Sequence, residues 1–158
     1  MSRLRKAIVI FNCDLGSLHG VANLEETREN GPVRIKVEIH GLEPGRQHGF
    51  HIHKLGNLEH GADSLCEHYN PTNKKHGGLN EDNAHVGDLG NLYVNSKGDI
   101  NRTFIAKNIR LRGDKNVIGR SMVIHENKDD LGRGNFADST TTGHSGKRIL
   151  YGIIGINS

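Results

Sequence analysis

Tryptophan is absent from this sequence, and proline, cysteine and aromatic residues are scarce: three prolines, two cysteines, four phenylalanines and three tyrosines in 158 residues. Long apolar segments are also missing. Residues 7–11 follow a basic N-terminus but are too short for the core of a secretion signal, which needs about 7–15 apolar residues. No segment approaches the roughly 20 apolar residues of a transmembrane helix. We therefore expect a cytoplasmic protein without a membrane segment.

The two cysteines, Cys13 and Cys66, lie far apart and do not form a metal-binding CxxC pair. The simplest interpretation is that each is a reduced, packed thiol. A chain of this length buries about two-thirds of the surface that its unfolded form exposes, so it can fold without cross-links. We expect a single domain that spans residues 1–158.

The formal net charge of +3 is small, and basic residues alternate with acidic ones along the chain. Few aromatic side chains are available to stack on bases, so this composition argues against a nucleic-acid partner. Most of the charge is expected to be solvated surface. A small anionic substrate remains compatible with it.

The 21 glycines and the frequent turns favour an all-β fold with short strands. Val33–His40 alternates apolar and polar residues, the pattern of a half-buried strand. Seven further strands are predicted, at residues 4–11, 21–25, 48–53, 89–95, 100–106, 117–125 and 148–156. Two long segments, 54–83 and 126–147, remain irregular. Loops of that length in a small domain are typically functional, so we expect the site to lie there.

Seven histidines and one aspartate run through the middle and end of the chain. Side chains alternate across a strand, so His51 and His53 project to one face while the intervening residue points to the core. Two imidazoles on one face can bind one metal ion. His48 has the opposite parity, and we favour a structural histidine that donates to the backbone over a ligand. His125, at the end of a later strand, can complete a copper site.

A second group comprises His68, His76, His85 and Asp88. Three imidazoles and one carboxylate are the ligand set of a closed tetrahedral zinc site. The alternative is a loop that merely carries surface histidines. Glycines beside His76 and His85 favour the metal site, because they allow the backbone to fold tightly around an ion.

These residues lie in motifs that resemble the Cu/Zn superoxide dismutase family. The matching segments occur in the family's order at residues 48–53, 75–78, 85–91, 118–126, 129–132 and 152–156. The resemblance implies an eight-stranded antiparallel Greek-key barrel, similar to an immunoglobulin-like sandwich, with two long functional loops. It also implies one copper and one zinc per subunit, a homodimer, and disproportionation of the superoxide anion to oxygen and hydrogen peroxide.

By the same resemblance, each metal has a ligand set, and His68 bridges the two as an imidazolate that takes up and gives back a proton during the cycle. The implied copper ligands are His51, His53, His68 and His125, and the implied zinc ligands are His68, His76, His85 and Asp88. Asp129 is implied to hydrogen-bond His51 and His76, Arg148 to receive superoxide beside the copper, and Thr142 to narrow the channel. Without the resemblance, Arg148 is an ordinary arginine at a strand start. The implied dimer contacts are Ile8, Leu55, Gly56, Ile118 and Ile156.

The chain departs from the family at its disulfide. The last-strand position holds Tyr151, and the loop position holds Ala62, with Cys66 four residues later. The family bond is therefore missing, while a pairing of Cys66 with Cys13 stays open. We expect the ring of Tyr151 to hold the loop by packing instead.

The second loop departs as well. The charged residues that guide superoxide in the family are reduced here to Asp138, with Ala137 and Thr141 at the other positions. Phe136 has no role that the sequence suggests. The alternatives to an enzyme are a dismutase-like copper chaperone and a metal buffer. A chaperone would carry a CxC motif, which this sequence does not contain.

Overall fold

The computed structural model describes residues 3–12 and 17–158. Within them the chain forms nine strands, one short α-helix and one 3₁₀ helix. The strands are β1 (Lys6–Phe11), β2 (His19–Glu26), β3 (Val33–His40), β4 (Gln47–His53), β5 (Asp88–Tyr93), β6 (Asp99–Ala106), β7 (Ser121–His125), β8 (Arg148–Ile153) and β9 (Gly155–Asn157). The 3₁₀ helix spans Gly61–Leu65, and α1 spans Ser139–Thr142.

The strands form two antiparallel sheets that pack face to face. One sheet has the order β6-β3-β2-β1-β9 and the other β5-β4-β7-β8. Phe50 of β4 reaches across the interior, with its ring edge-on to Phe11 of β1 and Phe104 of β6 at centroid distances of 6.4 and 6.5 Å. An isolated bridge between Asn12 and Tyr151 links the sheets on one side. The all-β sandwich fold predicted from the sequence is confirmed.

All eight predicted strands are present, but the last one, residues 148–156, is two strands. Ile154 separates β8 from β9, and its backbone exchanges hydrogen bonds with Gly119 and Arg120 instead of a strand partner. After this exchange the chain enters the other sheet, where β9 pairs with β1. The strand predicted at 117–125 is shorter for a related reason. Gly119 has φ 87° in the turn before β7, so the strand begins only at Ser121.

The two irregular segments lie over the outer face of the four-stranded sheet. The first connects β4 to β5, and an isolated bridge pairs His68 with His53 at the C-terminal end of β4. The second connects β7 to β8 and contains α1. Its residue Asn127 accepts from the backbone of Gly49 in β4 at 2.8 Å. Both loops are therefore attached to the strand that carries the first two predicted ligands.

Candidate metal centre

The first cluster lies where β4 and β7 run side by side. Phe50 and Ile52 are fully buried between the sheets, so His51 and His53 project from the opposite face, under the loops. The ligand-type atoms of His51, His53, His68 and His125 lie within 4.8 Å of one another, and all four side chains are buried. The Nε2 atoms of His53 and His125 are 3.3 Å apart.

The backbone fixes which nitrogen of two of these rings faces the cluster. Nδ1 of His53 donates to the carbonyl of Cys66 at 2.7 Å, and Nδ1 of His125 donates to that of Gly146 at 3.0 Å. Because a carbonyl can only accept, each Nδ1 carries the hydrogen and each Nε2 presents a lone pair. Ligating histidines are typically oriented by such a bond on their other nitrogen.

The second cluster surrounds the carboxylate of Asp88. Its Oδ1 lies 3.1 Å from Nδ1 of His68, 3.0 Å from Nδ1 of His76 and 3.3 Å from Nδ1 of His85. Its Oδ2 accepts from the backbone N–H groups of Gly77 and His85, both at 2.9 Å. The four predicted residues therefore converge, and the carboxylate is held by backbone from the side away from the imidazoles.

His68 belongs to both clusters. Its Nδ1 faces Asp88 and lies 3.2 Å from Nδ1 of His85. Its Nε2 is buried without a hydrogen-bond partner among the described residues, and so is Nδ1 of His51. A buried nitrogen without a partner costs about 1–3 kcal/mol, which a metal–ligand bond would offset. Imidazoles on one side, and imidazoles with a carboxylate on the other, fit copper and zinc respectively.

Burial and mutual repulsion keep the first cluster uncharged. Burial lowers the pKa of His51 and His53 well below the usual range, and neighbouring histidines, His68 first, lower it further. Burial also lowers the pKa of His125 to about 4. These imidazoles are therefore neutral at physiological pH, which is the form that binds a metal ion.

The second cluster holds opposite charges close together. Burial alone would raise the pKa of Asp88, but hydrogen bonds from His68, His76 and His85 hold it well below its ordinary value. Burial alone would lower the pKa of His76, but hydrogen bonds to Asp129 and Asp88 raise it to about 9. The carboxylate of Asp88 therefore stays ionised, and its negative charge stabilises a cation beside it.

Asp129 connects the two clusters from outside. Its Oδ2 lies 2.7 Å from Nε2 of His51, and its Oδ1 lies 2.7 Å from Nε2 of His76. The backbone of Asp129 is paired with the side chain of Asn91 in β5. The carboxylate therefore orients one histidine of each cluster, in the two contacts that the sequence analysis expected.

Arg148 begins β8 and reaches the first loop. Its guanidinium donates to the carbonyls of Ala62 and Cys66, both at 2.7 Å. It lines a polar depression of about 560 Å³ together with His60, Gly61, Ala62, Asp63, Gly146 and Lys147. Lys147 is exposed and forms no ion pair with a described residue. The sequence analysis did not identify it as a residue of this depression. Its position directly before Arg148 is the signal that could have suggested it.

Thr142 is the last residue of α1, and its side chain turns to Asp138. Its hydroxyl lies 3.1 Å from a carboxylate oxygen of Asp138. The same carboxylate accepts from Nδ1 of His144 at 2.7 Å. The ring of Phe136 stacks on His144 with centroids 3.6 Å apart and planes 6° apart. Phe136 therefore belongs to a small surface cluster of the second loop, a contact that its sequence context did not indicate.

The residues at the two positions where the resemblance implies the family's disulfide lie in one cluster. Tyr151 packs with Leu65 and Val123, and Ala62 packs against them. Tyr151 is 8% exposed, and its hydroxyl ends beside Gly61. The expected packing of this ring against the loop is confirmed. Cys66 is a free thiol that donates to the carboxylate of Glu67, whereas Cys13 lies outside the described residues.

His48 does not contribute to either cluster. Its Nδ1 donates to the backbone carbonyl of His125 at 2.7 Å, as expected for a structural histidine.

Among the described residues, no helix is long and apolar enough to cross a bilayer.

Comparison with known proteins identifies the scaffold. The family model described as copper/zinc superoxide dismutase matches residues 18–154. A superoxide dismutase [Cu-Zn] of Paramecium bursaria Chlorella virus 1 is 44% identical over 89% of this chain and 74% of its own length. The corresponding protein of Yarrowia lipolytica is 38% identical over 97% and 99%. An extracellular superoxide dismutase [Cu-Zn] of Drosophila melanogaster is 49% identical over 78% and 68%. The chain belongs to the copper/zinc superoxide dismutase family.

Proposed function

We propose that this protein disproportionates superoxide, with copper held by His51, His53, His68 and His125 and zinc held by His68, His76, His85 and Asp88. The observation that carries the proposal is the position of His68. One of its ring nitrogens faces the all-imidazole cluster, and the other faces the carboxylate of Asp88.

Bound copper would supply one-electron redox chemistry, through which two superoxide anions and two protons give one dioxygen and one hydrogen peroxide. The chain supplies the anion site and one of the two protons, and the second comes from solvent. Arg148 is a fixed cation whose two bonds to the first loop hold its guanidinium at the depression. His68 can take up this proton at Nε2 whenever that nitrogen is not a metal ligand, because its Nδ1 faces Asp88.

Lys147 adds a second positive charge to the depression that Arg148 lines. Thr141 stands at a second-loop position where the resemblance implies a charged residue, so attraction of the anion needs another source. Lys147 and Arg148 line one depression, in which Asp63 is the opposing charge. Like-signed charges in a cleft raise the encounter rate of an oppositely charged substrate by about 10–10³. We assign Lys147 this attraction.

A copper chaperone or a metal buffer is disfavoured by the same site. A storage role requires metal ligands but no cation that binds a substrate. Arg148 is a cation held beside the first loop, because both of its terminal guanidinium nitrogens donate to backbone carbonyls there. No described feature favours labile storage over two defined sites.

We infer that the 158 residues form one domain and that two copies associate. Ile10, Leu55, Leu58 and Ile156 are exposed apolar side chains, and Ile156 is 80% exposed. Ile8, Ile10 and Leu58 line one shallow apolar depression with Gly155, next to Ile156. Mass measurement in solution should give a dimer for the wild type, and Ile156→Glu should shift it toward a monomer. A monomeric wild type would refute this part.

We also propose a cytoplasmic location. The support is the free thiol of Cys66 and a loop held by Tyr151 through packing, which suits a reducing compartment. Fractionation of the cells that produce the protein tests this directly, and recovery in the medium would contradict it.

The test of activity is rapid mixing of superoxide with protein loaded with one copper and one zinc per chain. The expected result is decay of superoxide far faster than in buffer containing a chelator, and a strong loss in Arg148→Glu with both metals retained. Decay equal to that of buffer would refute the proposed function.

A further inference from the structure

A row of three side chains crosses the outer face of the five-stranded sheet. His19 begins β2, His40 ends β3 and Asp99 begins β6. The strand register pairs His19 with His40 and His40 with Asp99. Directly paired residues project to the same face of a sheet. Because Ile39 and Ile100 are buried in the core, this row lies on the solvent side.

Hydrogen bonds fix both imidazoles in the form that can bind a metal. Nδ1 of His40 lies 2.8 Å from a carboxylate oxygen of Asp99, and Nδ1 of His19 lies 2.9 Å from the backbone carbonyl of Ser17. Both partners accept, so each Nδ1 carries the hydrogen, and in the neutral ring the lone pair is then on Nε2. Ligating histidines are oriented by the same kind of partner on the opposite nitrogen.

The two rings are close enough to share an ion. Their centroids are 5.4 Å apart, with a 41° tilt between the planes. The nearest acidic neighbour on the strand, Glu38, pairs with Lys36 at 3.3 Å, so its charge is already balanced. Among the described residues, Asp99 has no lysine or arginine partner, and its only ion-pair contact is His40. The row therefore presents two lone pairs and one uncompensated carboxylate.

We propose that His19 and His40 bind a third metal ion through their Nε2 atoms, while Asp99 orients His40. The ion is a divalent late transition metal, Cu²⁺, Ni²⁺ or Zn²⁺, because these ions favour imidazole ligands. The remaining coordination positions face solvent and are filled by water. This surface site shares no residue with the two buried clusters and does not depend on the dismutase reaction.

The test is calorimetric titration of Ni²⁺ into protein whose two buried sites are filled with copper and zinc. The wild type is expected to bind one equivalent. Asp99→Asn should weaken this binding by about tenfold, the lower range for losing a partner that orients a ligand. His19→Asn and His40→Asn, which each remove an imidazole, should weaken it further. These three variants should keep the wild-type dismutase rate.

His144→Asn is the matched control. His144 is also exposed and also paired with a carboxylate, Asp138 at 2.7 Å, but its ring faces Phe136 instead of a second histidine. This variant should bind Ni²⁺ like the wild type. The proposal is overturned if the wild type binds no Ni²⁺, if removal of His19 or His40 leaves the affinity unchanged, or if His144→Asn lowers it equally.

Discussion

Gly143 and Asp129 are so close that no side chain fits between them. A Cβ atom at Gly143 would overlap Oδ1 of Asp129 and would lie 2.5 Å from Nε2 of His76. Gly143 also has φ 71°, a conformation that favours glycine. The glycine after α1 therefore allows the carboxylate to reach both histidines.

We predict that Gly143→Ala loosens zinc binding by about 10–100-fold, because it displaces the carboxylate that orients His76. Asp129→Asn should have a comparable effect. Competition titration with a zinc chelator measures both. Gly45→Ala is the control, since Gly45 has φ 80° but no atom within 4 Å of the added Cβ. Equal zinc affinity in Gly143→Ala and the wild type would show that the contact is dispensable.

Patterns confined to one segment were the most predictable from sequence. The clean alternation of β3 predicts its observed bounds, Val33–His40. The passage of the chain from one sheet to the other at Ile154 was not predictable. It depends on hydrogen bonds to a distant turn, and the apolar pattern of residues 148–156 does not reveal these bonds.

The candidate site follows the same division. Residue types and the family resemblance predicted the ligand histidines and Asp88, and the resemblance predicted the role of Asp129. The pair of His19 with His40 depends on strand register, and the stack of Phe136 on His144 depends on the path of a loop. Neither register nor loop path is encoded in a short motif, so both required the three-dimensional structure.

Lys147→Glu should lower kcat/KM by about tenfold at low ionic strength, because it reverses a charge beside the anion site. The rate of the wild type should fall as salt increases, and this dependence should be weaker in the variant. Lys97→Glu, in the turn between β5 and β6, changes the net charge equally and serves as the control. If both variants behave alike, net charge and not the position of Lys147 governs the rate.

The first loop should not depend on a disulfide. Tyr151 packs on Leu65 and Val123, where the family carries its cross-link. A native disulfide in a small domain contributes about 2–5 kcal/mol to the free energy of unfolding, so we expect the packing of Tyr151 to contribute a comparable amount. Treatment of the metal-loaded protein with dithiothreitol, followed by removal of the reductant, should leave activity and dimer mass unchanged. Cys66→Ser should also behave like the wild type, and a loss in either experiment would reveal a cysteine cross-link.

Glu26 forms a buried ion pair that should make stability depend on pH. Burial alone raises the pKa of Glu26, but hydrogen bonds from Arg112 and from the backbone of Arg5 lower it below the ordinary value of 4.5. A lowered pKa in the folded state means that the stabilisation is complete above the unfolded pKa. It is lost as the pH falls through the lower, folded value.

We therefore predict that Glu26→Gln lowers the free energy of unfolding by about 2 kcal/mol at pH 7. The difference from the wild type should shrink below about pH 4.5. Denaturant unfolding of the metal-free proteins at several pH values measures it. Glu25→Gln, which breaks an exposed pair with Lys6, should cost less than about 1 kcal/mol. A constant difference between Glu26→Gln and the wild type down to pH 3 would contradict the assignment.

Metal analysis of His125→Ala tests the two-site account most directly. His125 belongs to the all-imidazole cluster and makes no contact with Asp88 in the described structure, so its removal should release copper and leave zinc bound. His60→Ala, an exposed histidine of the first loop, is the control and should retain both metals. The account predicts one copper and one zinc per chain in the wild type, with zinc alone in His125→Ala. Full copper in that variant, or loss of both metals together, would contradict the assignment of two distinct sites that share His68.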